Sequence, residues 1–204
     1  MKIYIVHYDK LVERKKYMIE QLEKNGLNNY EFISNHGKDN LTLKDRKMFK
    51  NLSDGEISVS LHHIECFKKI KENNEDYALI FEDDALLYPN FKSILELYIK
   101  ELPENWDMLF IGDGCKFDKN LFVKGKNIYE KKQTNCADSY LISKRCCGII
   151  LEKLKLPNYT ILVPVDHWLN FVINNNNFNV YWSYPNIVSQ GSEKGVYKSS
   201  LRNN

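Results

Sequence analysis

Apolar positions along the chain follow two different periods. Short runs rich in β-branched and aromatic residues fall at 2–7, 30–33, 77–82, 108–111, 139–142 and 179–182, each the length of a strand. Between them, apolar residues recur every three or four positions over 11–24, 55–73, 90–101, 144–155 and 165–174, the period of an amphipathic helix. This rhythm predicts an α/β fold, a mostly parallel sheet flanked by helices in a Rossmann-like plan. The charged, turn-rich stretch 115–134 predicts a surface excursion or hairpin. No repeat or Pro/Gly/Ser linker interrupts the pattern, so one domain over residues 1–204 is expected.

Two segments are specified most sharply. Ser53-Asp54-Gly55-Glu56 has the spacing of a capping box, in which Ser53 caps and Glu56 reaches back. Ile57, Leu61, Ile64 and Phe67 then form one stripe for burial. Ala78-Leu79-Ile80-Phe81 is apolar without alternation, as in a central strand covered on both faces, and it runs straight into Glu82-Asp83-Asp84.

Composition narrows the classes. The 204 residues hold 43% hydrophobic side chains, enough for a proper core. Their 29 Lys and Arg against 27 Asp and Glu leave +2, which argues against a nucleic-acid binder relying on counterion release. No apolar run reaches the ~18 residues needed to span a bilayer, and the N-terminus lacks a signal-peptide pattern. Five cysteines, an odd count without CxxC, suit free thiols in a reducing compartment. A cytoplasmic location is expected.

Chemistry should gather where the strands end, because ligands of α/β sheets bind beyond the carboxyl edge. Strand alternation would turn Glu82 and Asp84 to one side and Asp83 to the other. Two converging carboxylates suit a hard divalent cation that keeps positions for phosphates; the alternative is a solvated acidic loop ahead of the helix near Pro89. The first strand leads through His7 and Asp9 to Arg14, which suits either a phosphate or a local ion pair. Asp166, after Pro164, is either a carboxylate favoured at a helix start or a general base beside Val165, Trp168 and Leu169. Of the adjacent His62 and His63, which diverge on a helix, His62 is expected to be a packed residue. No GxGxxG or Walker pattern is present.

In their order, these segments resemble glycosyltransferase family 25. The Gly55-Glu56-Ile57-Ser58-Val59-Ser60-Leu61-His62-His63 block is similar to that family's Gly-Glu-Ile-Gly-Cys-x-Leu-Ser-His, with Ser58, Val59 and His62 departing from it. Glu82-Asp83-Asp84, Trp106-Asp107 through Gly112, the segment from Ala137 to Ser143, Pro164-Val165-Asp166 and the stretch from Pro185 to Gln190 match in turn. The resemblance implies a GT-A-like fold that binds a nucleotide sugar, typically UDP-galactose, with Mn²⁺ (or Mg²⁺), and an inverting transfer to a hydroxyl of a glycan or protein acceptor. It implies Glu82 and Asp84 as metal ligands, Asp166 as the base, and His7, Asp9, Arg14, Glu56, His63, Asp83 and Gln190 around the donor. Two other classes stay open: a degenerate domain that binds without turnover, and a phosphotransfer enzyme built on the acidic triplet.

Overall fold

The computed structural model describes residues 1–114, 118–134 and 136–198. Nine strands and six α-helices are assigned among the described residues, in the order β1 (Lys2–Val6), α1 (Val12–Lys24), β2 (Tyr30–Ile33), α2 (Leu43–Met48), α3 (Asp54–Glu72), β3 (Tyr77–Glu82), β4 (Ala85–Leu87), α4 (Phe91–Glu101), β5 (Met108–Phe110), β6 (Ile128–Glu130), β7 (Ser139–Ser143), α5 (Lys144–Leu154), α6 (Val165–Asn176), β8 (Val180–Ser183) and β9 (Val188–Gln190). Seven strands form one sheet in the order β2-β1-β3-β7-β5-β8-β6. β7 runs against β3 and β5, and β6 runs against β8; the other neighbours are parallel. The sheet is therefore mixed but mostly parallel.

Helices cover both faces. On one, Ile57, Ile64 and Phe67 of α3, Ile150 of α5 and Leu169 of α6 pack on Tyr4, Ile80, Phe110 and Tyr140. On the other, Met18 and Leu22 of α1 with Phe91 and Leu95 of α4 pack on Ile3, Leu79 and Leu141. Ala78, Leu79, Ile80 and Phe81 are all fully buried, as an unalternated central strand requires. The predicted capping box is present: Ser53 accepts from the Glu56 amide, and the Glu56 carboxylate accepts from the Ser53 amide. That anchors a 19-residue helix at the sheet's carboxyl edge.

A two-stranded ribbon, β4 with β9, lies over that edge. It is tied on by a bridge between Gly112 and Val188. Within 115–134 the edge strand β6 forms, with Cys115 and the two residues after it outside the described part. Among the described residues, no helix is long and apolar enough to cross a membrane.

Candidate active site

β1, β3, β5 and β8 all end at one edge, and antiparallel β7 begins there. The chain thus delivers His7, Glu82 and Gly112 from strand ends and Asp138 from a strand start. The Glu82 amide donates to the Asp138 carbonyl at 2.8 Å. Around this point lies a cavity of about 60 Å³ whose lining includes His7, Tyr8, Arg14, Ser58, His62, Glu82, Asp83, Asp84, Gln190 and Ser192.

β3 stops at Glu82, and Asp83-Asp84 form a turn into β4, so strand alternation does not extend through the triplet. Asp83 is instead gripped from the α1 side. The Nδ1 of His7 donates to its Oδ2 at 2.8 Å and the Nη1 of Arg14 to its Oδ1 at 2.8 Å. Asp84 lies 3.9 Å from the same Nη1 and accepts the Ser192 amide at 3.2 Å. Its other oxygen, Oδ1, is buried with no hydrogen-bond partner among the described residues, as is Nε2 of His7. Glu82 lines the same cavity as Asp84, its Oε1 3.5 Å from Nε2 of His63.

The charges are unbalanced. Glu82, Asp83, Asp84 and Asp138 crowd one edge, and among the described residues Arg14 pairs with Asp83 and approaches Asp84. Desolvation, then repulsion from Asp84 and Asp83, raises the Glu82 carboxyl well above the usual range. Burial pushes Asp138 up to about 7. Its carboxylate lies where a Cβ on Gly112 would have to sit, so only glycine fits there.

The segment 191–198 roofs the site. The Gly191 amide donates to the Asp84 carbonyl at 2.8 Å, and the Nη2 of Arg14 donates to the Lys198 carbonyl at 2.6 Å. The Tyr197 ring lies 5.1 Å from the Arg14 guanidinium. A Cβ on Gly191 would come within 2.9 Å of the Asp84 carbonyl, which keeps this approach reserved for glycine.

The geometry gathers His7, Arg14, Glu82, Asp83, Asp84 and Gln190 around one cavity. Three residues that the resemblance implies around the donor, Glu56, His63 and Asp9, lie outside the cavity lining. Glu56 does not line the cavity, because its carboxylate is spent on the Ser53 amide and hydroxyl. His63 is wholly buried, its Nδ1 sharing a 2.8 Å hydrogen bond with the Tyr140 hydroxyl, and burial holds its pKa down to about 3. Its neighbour His62, read from sequence as a packed residue, is buried at 1% exposure and also lines the cavity. Helix phase decides this: adjacent side chains diverge by about 100°. Asp9 is exposed beyond the lining. Asp166 is half-buried in the first turn of α6, where its Oδ1 accepts the His167 amide at 2.8 Å. It is close enough to bear electrostatically on both Glu82 and His63. Tyr8, Ser192 and Asp138 were not singled out from the sequence, and Ser58 only as a departure from the family's block.

Among the described residues, no group of three or more His, Cys, Asp or Glu is arranged to hold a metal ion unaided.

Residues 1–169 match the profile of "Glycosyltransferase family 25 (LPS biosynthesis protein)". A Haemophilus influenzae protein, assigned by inference as a glycosyltransferase, is 31% identical over 180 residues, and the alignment covers 80% of this chain and 60% of that one. Among solved structures, the galactosyltransferase LgtC with donor and acceptor sugar analogues superposes with a TM-score of 0.53 at 14% identity, covering 93% of this chain and 86% of that one. A Bacillus anthracis protein assigned by inference as a glucose-1-phosphate thymidylyltransferase gives 0.50 at 11%, covering 94% and 89%. These two likenesses concern the fold, a GT-A-type sheet shared with nucleotidyltransferases. With the profile spanning most of its length, the chain belongs to glycosyltransferase family 25.

Proposed function

We propose that the cavity binds a UDP-sugar, with galactose the expected sugar, and that the chain transfers it with inversion to a hydroxyl of a glycan or protein acceptor. The observation that carries this reading is the pair of orphaned polar atoms, Asp84 Oδ1 and His7 Nε2, in a strongly acidic pocket at the carboxyl edge. Carboxylates massed this way oppose a diphosphate unless a cation intervenes. The donor set fits Mn²⁺ or Mg²⁺ held by one or two carboxylates and completed by substrate phosphates. Asp84 and Glu82 are the residues to hold it. When bound, such an ion supplies charge neutralisation for the departing diphosphate.

The chain's own residues do the rest. Arg14 faces the phosphates and is kept in place by Asp83, which His7 steadies in turn. Asp166, on the α6 side of Glu82, accepts the proton of the attacking hydroxyl. A nucleotide sugar needs a site of roughly 300–1,000 Å³, far more than the cavity of about 60 Å³. That difference fits a donor that displaces segment 191–198 from Arg14 and Asp84 as it enters. The test is a screen of UDP-, GDP- and CMP-sugars for metal-dependent release of the nucleotide. Selective release of UDP supports the reading, and a silent panel with folded protein refutes it.

A further inference from the structure

His62 and Ser58 sit one turn apart on α3, and both are buried, at 1% and 4% exposure. Both border the cavity, and each also holds the backbone of His36. Nε2 of His62 accepts the His36 amide at 3.0 Å, and the Ser58 hydroxyl donates to the His36 carbonyl at 2.6 Å. One residue's two backbone groups are thus held by two side chains of a single helix. Burial keeps His62 neutral, its pKa lowered to about 4, so the accepting lone pair is available at neutral pH. Beyond His36 the chain turns through a 3₁₀ segment, Lys38–Asn40. There the Tyr8 hydroxyl donates to Asp39, Lys10 pairs with Asp39 at 2.8 Å, and Gly37 lies against the Tyr8 ring. Tyr8 in turn lines the cavity.

We infer that Ser58 and His62 are positioning residues of the donor site: by clamping the His36 backbone they fix the 37–40 turn and, through it, the Tyr8 wall. The inference rests on the function proposed above.

The test compares His62→Leu, which fills the space without an acceptor, with His62→Gln, whose amide oxygen reaches the same point, and with Ser58→Ala. UDP is titrated in Mn²⁺, UDP-sugar hydrolysis is resolved into KM and kcat, and amide exchange is followed at His36 and the 37–40 turn. Loss of one buried hydrogen bond corresponds to roughly a tenfold change in an equilibrium constant. His62→Leu and Ser58→Ala should each weaken UDP and raise KM by about that factor. They should leave kcat within about twofold and speed exchange of the turn. His62→Gln should restore all three. Wild-type affinity in a folded His62→Leu overturns the clamp, as does a His62→Gln that loses as much as His62→Leu. Failure of the wild type to bind UDP overturns the proposed function instead.

Discussion

Replacing Asp138 by Asn should stabilise the protein in mild alkali and change much less in acid. Asp138 is 1% exposed, with the Ser139 hydroxyl donating to its Oδ2 at 2.8 Å. Burial, reinforced by the charges of Glu82 and Asp84, lifts its pKa from 3.8 to about 7. The folded chain therefore holds this proton up to about pH 7, while the unfolded chain releases it near 3.8. A raised folded pKa gives stability that is full below the unfolded value and is lost as pH rises through the folded one. Linkage over these two values puts the loss at ~1.5 kcal/mol at pH 5 and ~4 kcal/mol at pH 8, a difference of ~2.5 kcal/mol. Asparagine keeps the shape and the acceptor but cannot ionise, so the variant escapes this loss. Urea denaturation of both proteins at pH 5 and pH 8 reads the effect. His62 and His63 titrate in both proteins, so their acid sensitivity cancels in the comparison. The variant should gain ~2.5 kcal/mol on the wild type between the two pH values; an equal difference at both would refute the buried, protonated carboxyl.

Two more outcomes follow from the site and the core. Asp166→Asn should lower transfer to an acceptor by about 10²–10⁴-fold with UDP affinity unchanged; stability lost with transfer per folded molecule preserved would return Asp166 to a helix-start role. Cys66, Cys146 and Cys147 are buried free thiols, and burial raises each pKa, so an aromatic disulfide reagent should label them only as the chain unfolds. Stoichiometric labelling of the three in the native protein would contradict the core described above.

Where pattern and burial coincide, the sequence was readable. The five predicted helices all form, within two residues at each end, because each pairs a long apolar stripe with a clear start or stop. α2 and the three-residue strands β4, β6 and β9 escaped, being too short to show a period. Their places are set by tertiary pairing, as when Ala85 meets Gln190 across more than a hundred residues. The acidic centre was visible as three carboxylates after a buried strand. Its fourth member was not: Asp138 precedes β7, and only the antiparallel insertion of β7 beside β3 carries it to Glu82. Nor did the pattern separate His62 from His63, because which side of α3 meets the cavity depends on a rotation that two adjacent histidines do not reveal. The roof at 191–198 offers backbone groups, the Gly191 and Ser192 amides and the Lys198 carbonyl, to Asp84 and Arg14, and backbone partners leave no mark in the sequence pattern.

The most direct test is UDP binding by the wild type and by Asp84→Asn, each titrated in Mn²⁺ and in excess EDTA. Asp84 carries the orphaned oxygen, so the wild type should bind UDP markedly more tightly with the metal. The variant, still folded, should lose most of that gain while its affinity in EDTA barely changes. Equal UDP affinity of the wild type in Mn²⁺ and in EDTA would contradict the account of this cavity as a metal-assisted nucleotide-sugar site.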